Sequence, residues 1–406
     1  MGNRFHFLCL LCSLVVFLTG CWDQVQIEER GFVIGVAIDK PPSKTIDANA
    51  EREAPNKPEG RHRVLVTHQL VIPGGLVGGG QGGGSQNSGE AAYLNLTSEG
   101  DSLFEISRIL ATRTSRSPFY QHLKVVIVSE ELAKNVDVLS DALDFFMRDP
   151  EVRRSSKVMV AKGDARQVLK VQPRSEKLPA MYINSVAENI QKTARMLPEV
   201  RIGEVHEHLV SGSSFVLPRI SPSQQEVKVA GSAVFQGATK RMVGYLGEEE
   251  TEGLNFLTGK LAGGLLKVPV HDNLVTVNVL ESTQDIRARA ADKEHIHFRI
   301  EIECEGTIAE SMEPLDFLDE KMIRNVEAAI AREILRISRD TVNKLHKDMK
   351  TDVLGLGNHL RQHDHSLWHQ VKADWDTGRN YFSQSEIEVS ARFYIRTIGD
   401  ANRTQK

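Results

Sequence analysis

Leu217-Pro218-Arg219-Ile220-Ser221-Pro222 is the stretch on which the reading of the fold turns. Two prolines in six residues remove two backbone donors and fix two φ angles, so the run reads as a connection. A linker over residues 217–225 then separates an N-terminal domain, 21–216, from a C-terminal domain, 226–400. The texture of the chain differs on the two sides.

Upstream, strand-like and helix-like segments alternate. Phe32-Val33-Ile34-Gly35-Val36-Ala37-Ile38-Asp39, closed by Pro41-Pro42, reads as a buried strand, and Val64 to Ile72 as a second. A helix is expected from Ser98, with Leu103, Ile106, Ile109 and Leu110 on one face. Val125–Val128 and Lys157–Ala161 are further strands, with a helix over 136–147 between them. Helical stretches near 178–196 and 202–211 follow. This alternation predicts an α/β domain. Residues 78–89 form a glycine-rich tract that contains Gly-x-Gly-x-x-Gly. No lysine follows it and its flexibility is uniform, so it reads as a surface loop rather than a phosphate cradle.

Downstream, Val227–Phe235, Met242–Leu246, Leu274–Leu280 and His295–Cys304 read as strands, several of them alternating. Glu248-Glu249-Glu250 and Glu252 suit the start of a helix, where the dipole favours negative charge. A long helical stripe runs from Leu315 to Met349, and a strand from Ile387 to Ile395 closes the chain. The predicted class is mixed α/β and α+β: a multi-domain chain with an N-terminal α/β domain, then an antiparallel sheet covered by a long helix.

The first twenty residues have a different grammar. Arg4 precedes an apolar run from Phe5 to Leu18, which ends in Leu18-Thr19-Gly20-Cys21. This is a signal peptide, cut between Gly20 and Cys21. A cysteine in that place accepts lipid: a diacylglyceryl group on the thiol and an acyl chain on the freed amine. Two or three chains anchor stably where one is marginal, at roughly 0.8 kcal/mol per buried methylene. Beyond Cys21 no apolar run approaches the length of a membrane span.

Composition narrows the function. Apolar residues make up 40% and charged residues 26%, an ordinary globular balance. Removing residues 1–20 takes one basic and no acidic residue from 50 and 54, leaving a net charge of −5. Nothing in that balance points to nucleic acid, which needs a clustered basic face. After processing, Cys304 has no cysteine to pair with besides the lipidated Cys21.

Candidate chemistry is sparse. His359, His363, His365 and His369 are the densest cluster, and His359 and His363 have the i,i+4 spacing that suits a metal on a helix. Gly355-Leu356-Gly357-Asn358 argues against a helix there, so the cluster reads as a solvated loop. His206-Glu207-His208 and His295-x-His297 are weaker signals, and Ser213-Ser214 lacks a nucleophile elbow. Trp368 and Trp375 read as core contacts. No catalytic residue, metal ligand or cofactor is assigned.

Several pieces in order carry a resemblance. They are the lipobox with Cys21-Trp22-Asp23, Gly35-Val36-Ala37-Ile38-Asp39-Lys40, and His122 through Ala133. Phe146-Met147-Arg148-Asp149-Pro150-Glu151-Val152-Arg153 and Gly231-Ser232-Ala233-Val234-Phe235 follow. Gly244-Tyr245-Leu246, Asp352-Val353-Leu354-Gly355-Leu356-Gly357 and Trp368 complete the set. Together they resemble the Ger(x)C family, the lipoprotein C subunits of spore germinant receptors. The resemblance implies a non-enzymatic subunit with A and B membrane subunits as partners, held by lipid on Cys21 at the outer face of the spore inner membrane. The tract at 78–89 has no counterpart in the family pattern and reads as an insertion. Two other functions stay open beside this one. One is an extracytoplasmic lipoprotein that captures a small-molecule germinant; the other is a hydrolase built on the 359–369 histidines.

Overall fold

The structure, a computed structural model, describes residues 29–42, 63–77, 91–135, 138–271, 273–312 and 315–398. The signal segment 1–20, Gly20, Cys21, most of the loop at 41–60 and the glycine tract 78–89 lie outside the described residues.

Two sheets organise the chain. The first holds β1 (Arg30–Asp39), β2 (Val64–Val71), β3 (Tyr93–Gly100), β4 (Ser117–Phe119), β5 (Val125–Ser129), β6 (Lys157–Ala161), β7 (Phe215–Pro222), β8 (Val227–Gln236) and β9 (Arg241–Leu246). The second holds β10 (Gly264–Val270), β11 (Asn273–Asp292), β12 (His295–Ser311) and β13 (Glu386–Thr397). The described helices of seven residues or more are α1 (Leu103–Ala111), α2 (Val138–Arg148), α3 (Pro179–Ala187), α4 (Ile202–Ser211), α5 (Glu248–Leu257), α6 (Glu320–Asn343), α7 (Leu356–His363) and α8 (His365–Val371).

The first sheet runs β3-β2-β1-β5-β6-β7-β8-β9, with β4 beside the first residues of β1. Its centre, β1-β5-β6-β7, is parallel, as is the short β4–β1 pair, and the remaining pairs are antiparallel. Strands covered on both faces need apolar side chains on both, and every residue of β5 and β6 is buried. One face packs Leu103, Ile106 and Leu110 of α1, Leu139, Leu143 and Phe146 of α2, and Ile202 and Val205 of α4. The other packs Ala165, Val168 and Leu169 with Ala180 and Ile183 of α3. The helix predicted from Ser98 begins later. Ser98 pairs with Val66 inside β3, and Ser102 caps α1 by accepting from the Glu105 N–H.

Leu217–Pro222 corrects the linker reading. These residues lie in β7, paired to β6 on one side and to β8 on the other. Proline is tolerated because the β7–β8 register shifts between Pro218 and Ile220, and Pro222 is the last strand residue. Opposite the shift, Gly231 has φ +81, and a Cβ there would sit 2.7 Å from the Arg219 guanidinium. The irregularity re-aims β8. Val227 and Val229 face the α3 side, Ala233 and Phe235 the α1–α2–α4 side, and Val234 the core of the second sheet.

The second sheet runs β10-β11-β12-β13. The first three strands are antiparallel and β13 pairs parallel to β12, whereas the strands expected in this sheet at 227–235 and 242–246 are β8 and β9 of the first sheet. The connection between β12 and β13 carries α6, α7 and α8, long enough for a crossover, and alternation along a strand carries no sign of direction. Asp319 sets the start of α6 by accepting from the Lys321 N–H at 2.9 Å, so Leu315 and Phe317 reach the core from a non-helical segment. Val326, Ile330, Ile334 and Ile337 of α6 cover the sheet. Lys344–Met349 continues as a π-helical turn and ends at Lys350, φ +51. The four-acid start predicted for α5 forms, with Glu250 accepting from the Gly247 N–H.

Candidate functional site

The described residues enclose a cleft of about 920 Å³ where α4, the loop after α5 and the 352–376 segment meet. Its floor is built around one carboxylate. Asp352 Oδ1 accepts from the backbone N–H groups of Leu354, Gly355 and Leu356 at 3.0–3.2 Å. Its Oδ2 accepts from Gly357 N–H at 2.6 Å and the Trp375 indole N–H at 2.7 Å. Burial pushes the Asp352 carboxyl up from its ordinary range, against the pull of these donors. Gly357 is required because a Cβ would lie 2.6 Å from Trp375 Nε1. Asp352-Val353-Leu354-Gly355-Leu356-Gly357 is therefore a carboxylate-centred turn that opens α7, and its chemistry is structural.

Asp376 ties this floor to the first sheet. Its carboxylate accepts from the Ser214 hydroxyl, and its carbonyl accepts from Gln236 Nε2 at 2.7 Å. Ser214 Oγ in turn accepts from the Gly237 N–H at 2.9 Å. Burial raises the Asp376 carboxyl, and the Ser214 bond opposes the rise. Ser214 is thus a bridge and not a nucleophile beside a base.

The walls mix apolar and polar side chains. Lys260, Arg361 and Lys372 line the cleft, and among the described residues none has a carboxylate within 4.0 Å. Of the acids there, Glu199 is paired with Lys157 and Arg201, while burial raises Glu204. His208 stacks on Phe215 at 5.3 Å, and burial, then Lys260, lowers its pKa. Trp368 lies edge-on to Trp375 at 6.0 Å, and Trp375 packs on Phe298 and Phe382. The core reading of the two tryptophans suits Trp375; Trp368, half-buried, also faces the cleft. A smaller cleft of about 660 Å³ lies between α1 and α2.

The histidines correct a second expectation. Residues 356–363 and 365–371 are helical, because the Asp352 turn supplies the start of α7 and Asp364 caps α8 through the Leu367 N–H. His359 and His363 stack at 4.2 Å, and His365 and His369 meet edge-on. His295 pairs with Asp292, and His297 lies 3.8 Å from Glu388 on the outer face of the second sheet. Cys304 is buried, with burial pushing its thiol up to about 11.

Two other quoted motifs are also structural. Asp39 caps the short helix at 165–168, accepting from the N–H groups of Ala165 and Arg166 at 2.6 and 2.9 Å. Burial raises its carboxyl to about 6. Ser232 shares a hydrogen bond with Thr251 at 2.9 Å, which joins β8 to α5. Sequence reasoning missed Asp376 and Ser214, which no local pattern marks. Among the described residues no helix is long and apolar enough to cross a membrane.

Comparison with known proteins covers nearly the whole chain. Residues 23–222 match the family described as spore germination protein N-terminal domain, and residues 230–399 match the spore germination B3/GerAC-like C-terminal family. Spore germination protein YndF of Bacillus subtilis is 33% identical over 394 residues, 96% of each chain. Spore germination protein B3 of the same organism is 25% identical, over 96% of this chain and 97% of the relative. The crystal structure of the GerBC protein shares the fold with a TM-score of 0.58 at 22% identity, covering 82% of this chain and 94% of that one.

Proposed function

Because the chain belongs to the Ger(x)C family of spore germination proteins, we propose that it is the lipid-anchored, non-enzymatic C subunit of a nutrient germinant receptor. The observation that carries this reading is the match of both family halves in order, with Leu18-Thr19-Gly20-Cys21 ending two positions before the first matched residue. In this reading the peptide 1–20 is removed, Cys21 carries the lipid, and the folded part lies at the outer face of the spore inner membrane. The protein docks on A and B membrane subunits and is needed for assembly and signalling.

The test is co-purification from detergent-solubilised spore membranes. A and B subunits recovered at fixed stoichiometry support the reading; a solitary protein recovered under conditions that keep the A and B subunits together overturns it. Cys21→Ala should move the protein to the soluble fraction and slow germination, as fractionation and spore optical density would record. Membrane retention of that variant removes the anchor.

One observation favours a second reading, an extracytoplasmic protein that captures a small-molecule germinant. The 920 Å³ cleft is in the size range of ligand sites and presents Trp368 beside Lys260, Arg361 and Lys372. Equilibrium dialysis of the full chain against radiolabelled nutrient germinants decides it. Saturable binding that Arg361→Ala weakens supports capture, and its absence leaves the docking role alone.

A further inference from the structure

His365 and His369 stand one turn apart on the exposed face of α8, with their Nε2 atoms 3.0 Å apart and their rings at 89°. Two N–H groups cannot point at each other at that distance, so at least one of the facing nitrogens carries a lone pair. Metal–imidazole bonds are about 2.0–2.1 Å long. Two nitrogens 3.0 Å apart on such bonds subtend about 90° at the ion. That is a cis angle for tetragonal or octahedral coordination, narrower than a tetrahedral ion prefers.

One neighbour favours this use and another opposes it. Asp364 is committed to the Leu367 N–H at 3.0 Å, so it fixes the helix start that places His365. Lys372 is the fixed charge facing the pair, and it opposes a cation. His359 and His363 offer no such convergence. Their rings lie nearly parallel, and His363 Nδ1 is 3.0 Å from the His359 carbonyl oxygen, within hydrogen-bond distance. Among the described residues no third histidine, cysteine or carboxylate joins either pair in a metal-binding group.

We propose that His365 and His369 form an exposed two-histidine chelate for a divalent transition metal, Cu²⁺ or Ni²⁺ ahead of Zn²⁺. Its remaining coordination positions are open to water or to a donor from a docked molecule. The proposal stands apart from the receptor reading, because the geometry lies within one helix.

The experiment uses the full chain, purified in detergent with a histidine-free tag and stripped with a chelator. Cu²⁺ is titrated in and followed by electron paramagnetic resonance, and Ni²⁺ by calorimetry. One equivalent of Cu²⁺ with two coordinated imidazole nitrogens is expected. H365Q or H369Q should weaken uptake at least about tenfold, since each leaves a single ligand where two had acted together. H359Q/H363Q should leave it unchanged, and circular dichroism checks that each variant is folded. Absence of saturable uptake, or a Cu²⁺ spectrum that H365Q/H369Q does not alter, assigns the 3.0 Å contact to an N–H···N hydrogen bond and overturns the site.

Discussion

At the scale of single residues, buried carboxylates do most of the organising. Asp352 gathers four backbone donors and an indole, so Asp352→Asn places an amide NH₂ among groups that also donate. A loss of about 3 kcal/mol is expected, read by chemical denaturation. Glu252 is the opposite case. It is 2% exposed, one oxygen has no hydrogen-bond partner among the described residues, and the other meets Arg195 at 3.4 Å. Burial raises its carboxyl from 4.5 to about 7. The folded chain therefore holds a proton that the unfolded chain has released, and stability falls as pH rises from about 4.5 to about 7. Asp39, raised to about 6, acts in the same direction. Glu252→Gln should flatten the decline of melting temperature across that window, and an unchanged slope would exclude Glu252 as its source. The role of Asp352 was half legible in the sequence. The acid and its glycines stood out as a motif, but the indole that completes the set lies 23 residues away.

At the scale of elements, α5 and α6 cross closely because one position lacks a side chain. A Cβ on Gly253 would lie 2.2 Å from Thr341 Oγ1 and 2.8 Å from the Ile337 carbonyl oxygen. Glu249 and Glu250 of α5 pair with Arg336 and Lys344 at the same crossing. Gly253→Val should cost about 3 kcal/mol or more, because one of the atoms it meets is backbone and cannot rotate away. An unchanged denaturation midpoint would mean that the helices part freely. Periodicity located most elements and missed their relations. The α6 stripe was readable from Val326, Ile330 and Ile334, whereas the parallel pairing of β13 left no local mark. Pro218 and Pro222 misled because proline reports a missing donor and not where that donor would have pointed. The glycines before His359 misled for a related reason: the donors they expose are taken up by Asp352.

At the scale of the molecule, the mixed α/β class with two sheets was legible, and several of the motifs behind the family resemblance that fall in the described residues are caps, turns and close approaches. The junction was not legible. Ser214, Gln236 and Asp376 are far apart in the chain and meet only through the fold. β8 is the structural reason that the two sheets share a boundary, since its side chains enter three separate cores.

That strand also bears on modularity. The seam between the two family halves, residues 223–229, takes in the β7–β8 turn and the first three residues of β8, and the two strands are hydrogen-bonded neighbours. A fragment that stops at Pro222 would leave β7 as an open edge, and one that starts at residue 230 would carry β8 without its template. Expressed singly, each half should aggregate. Expressed together, they should reassemble as a split protein, with β7 and β8 as the recognition surface; recovery of either half alone as a folded monomer would refute this. The two matched halves therefore fold as one cooperative unit, each lending the other an edge strand it lacks.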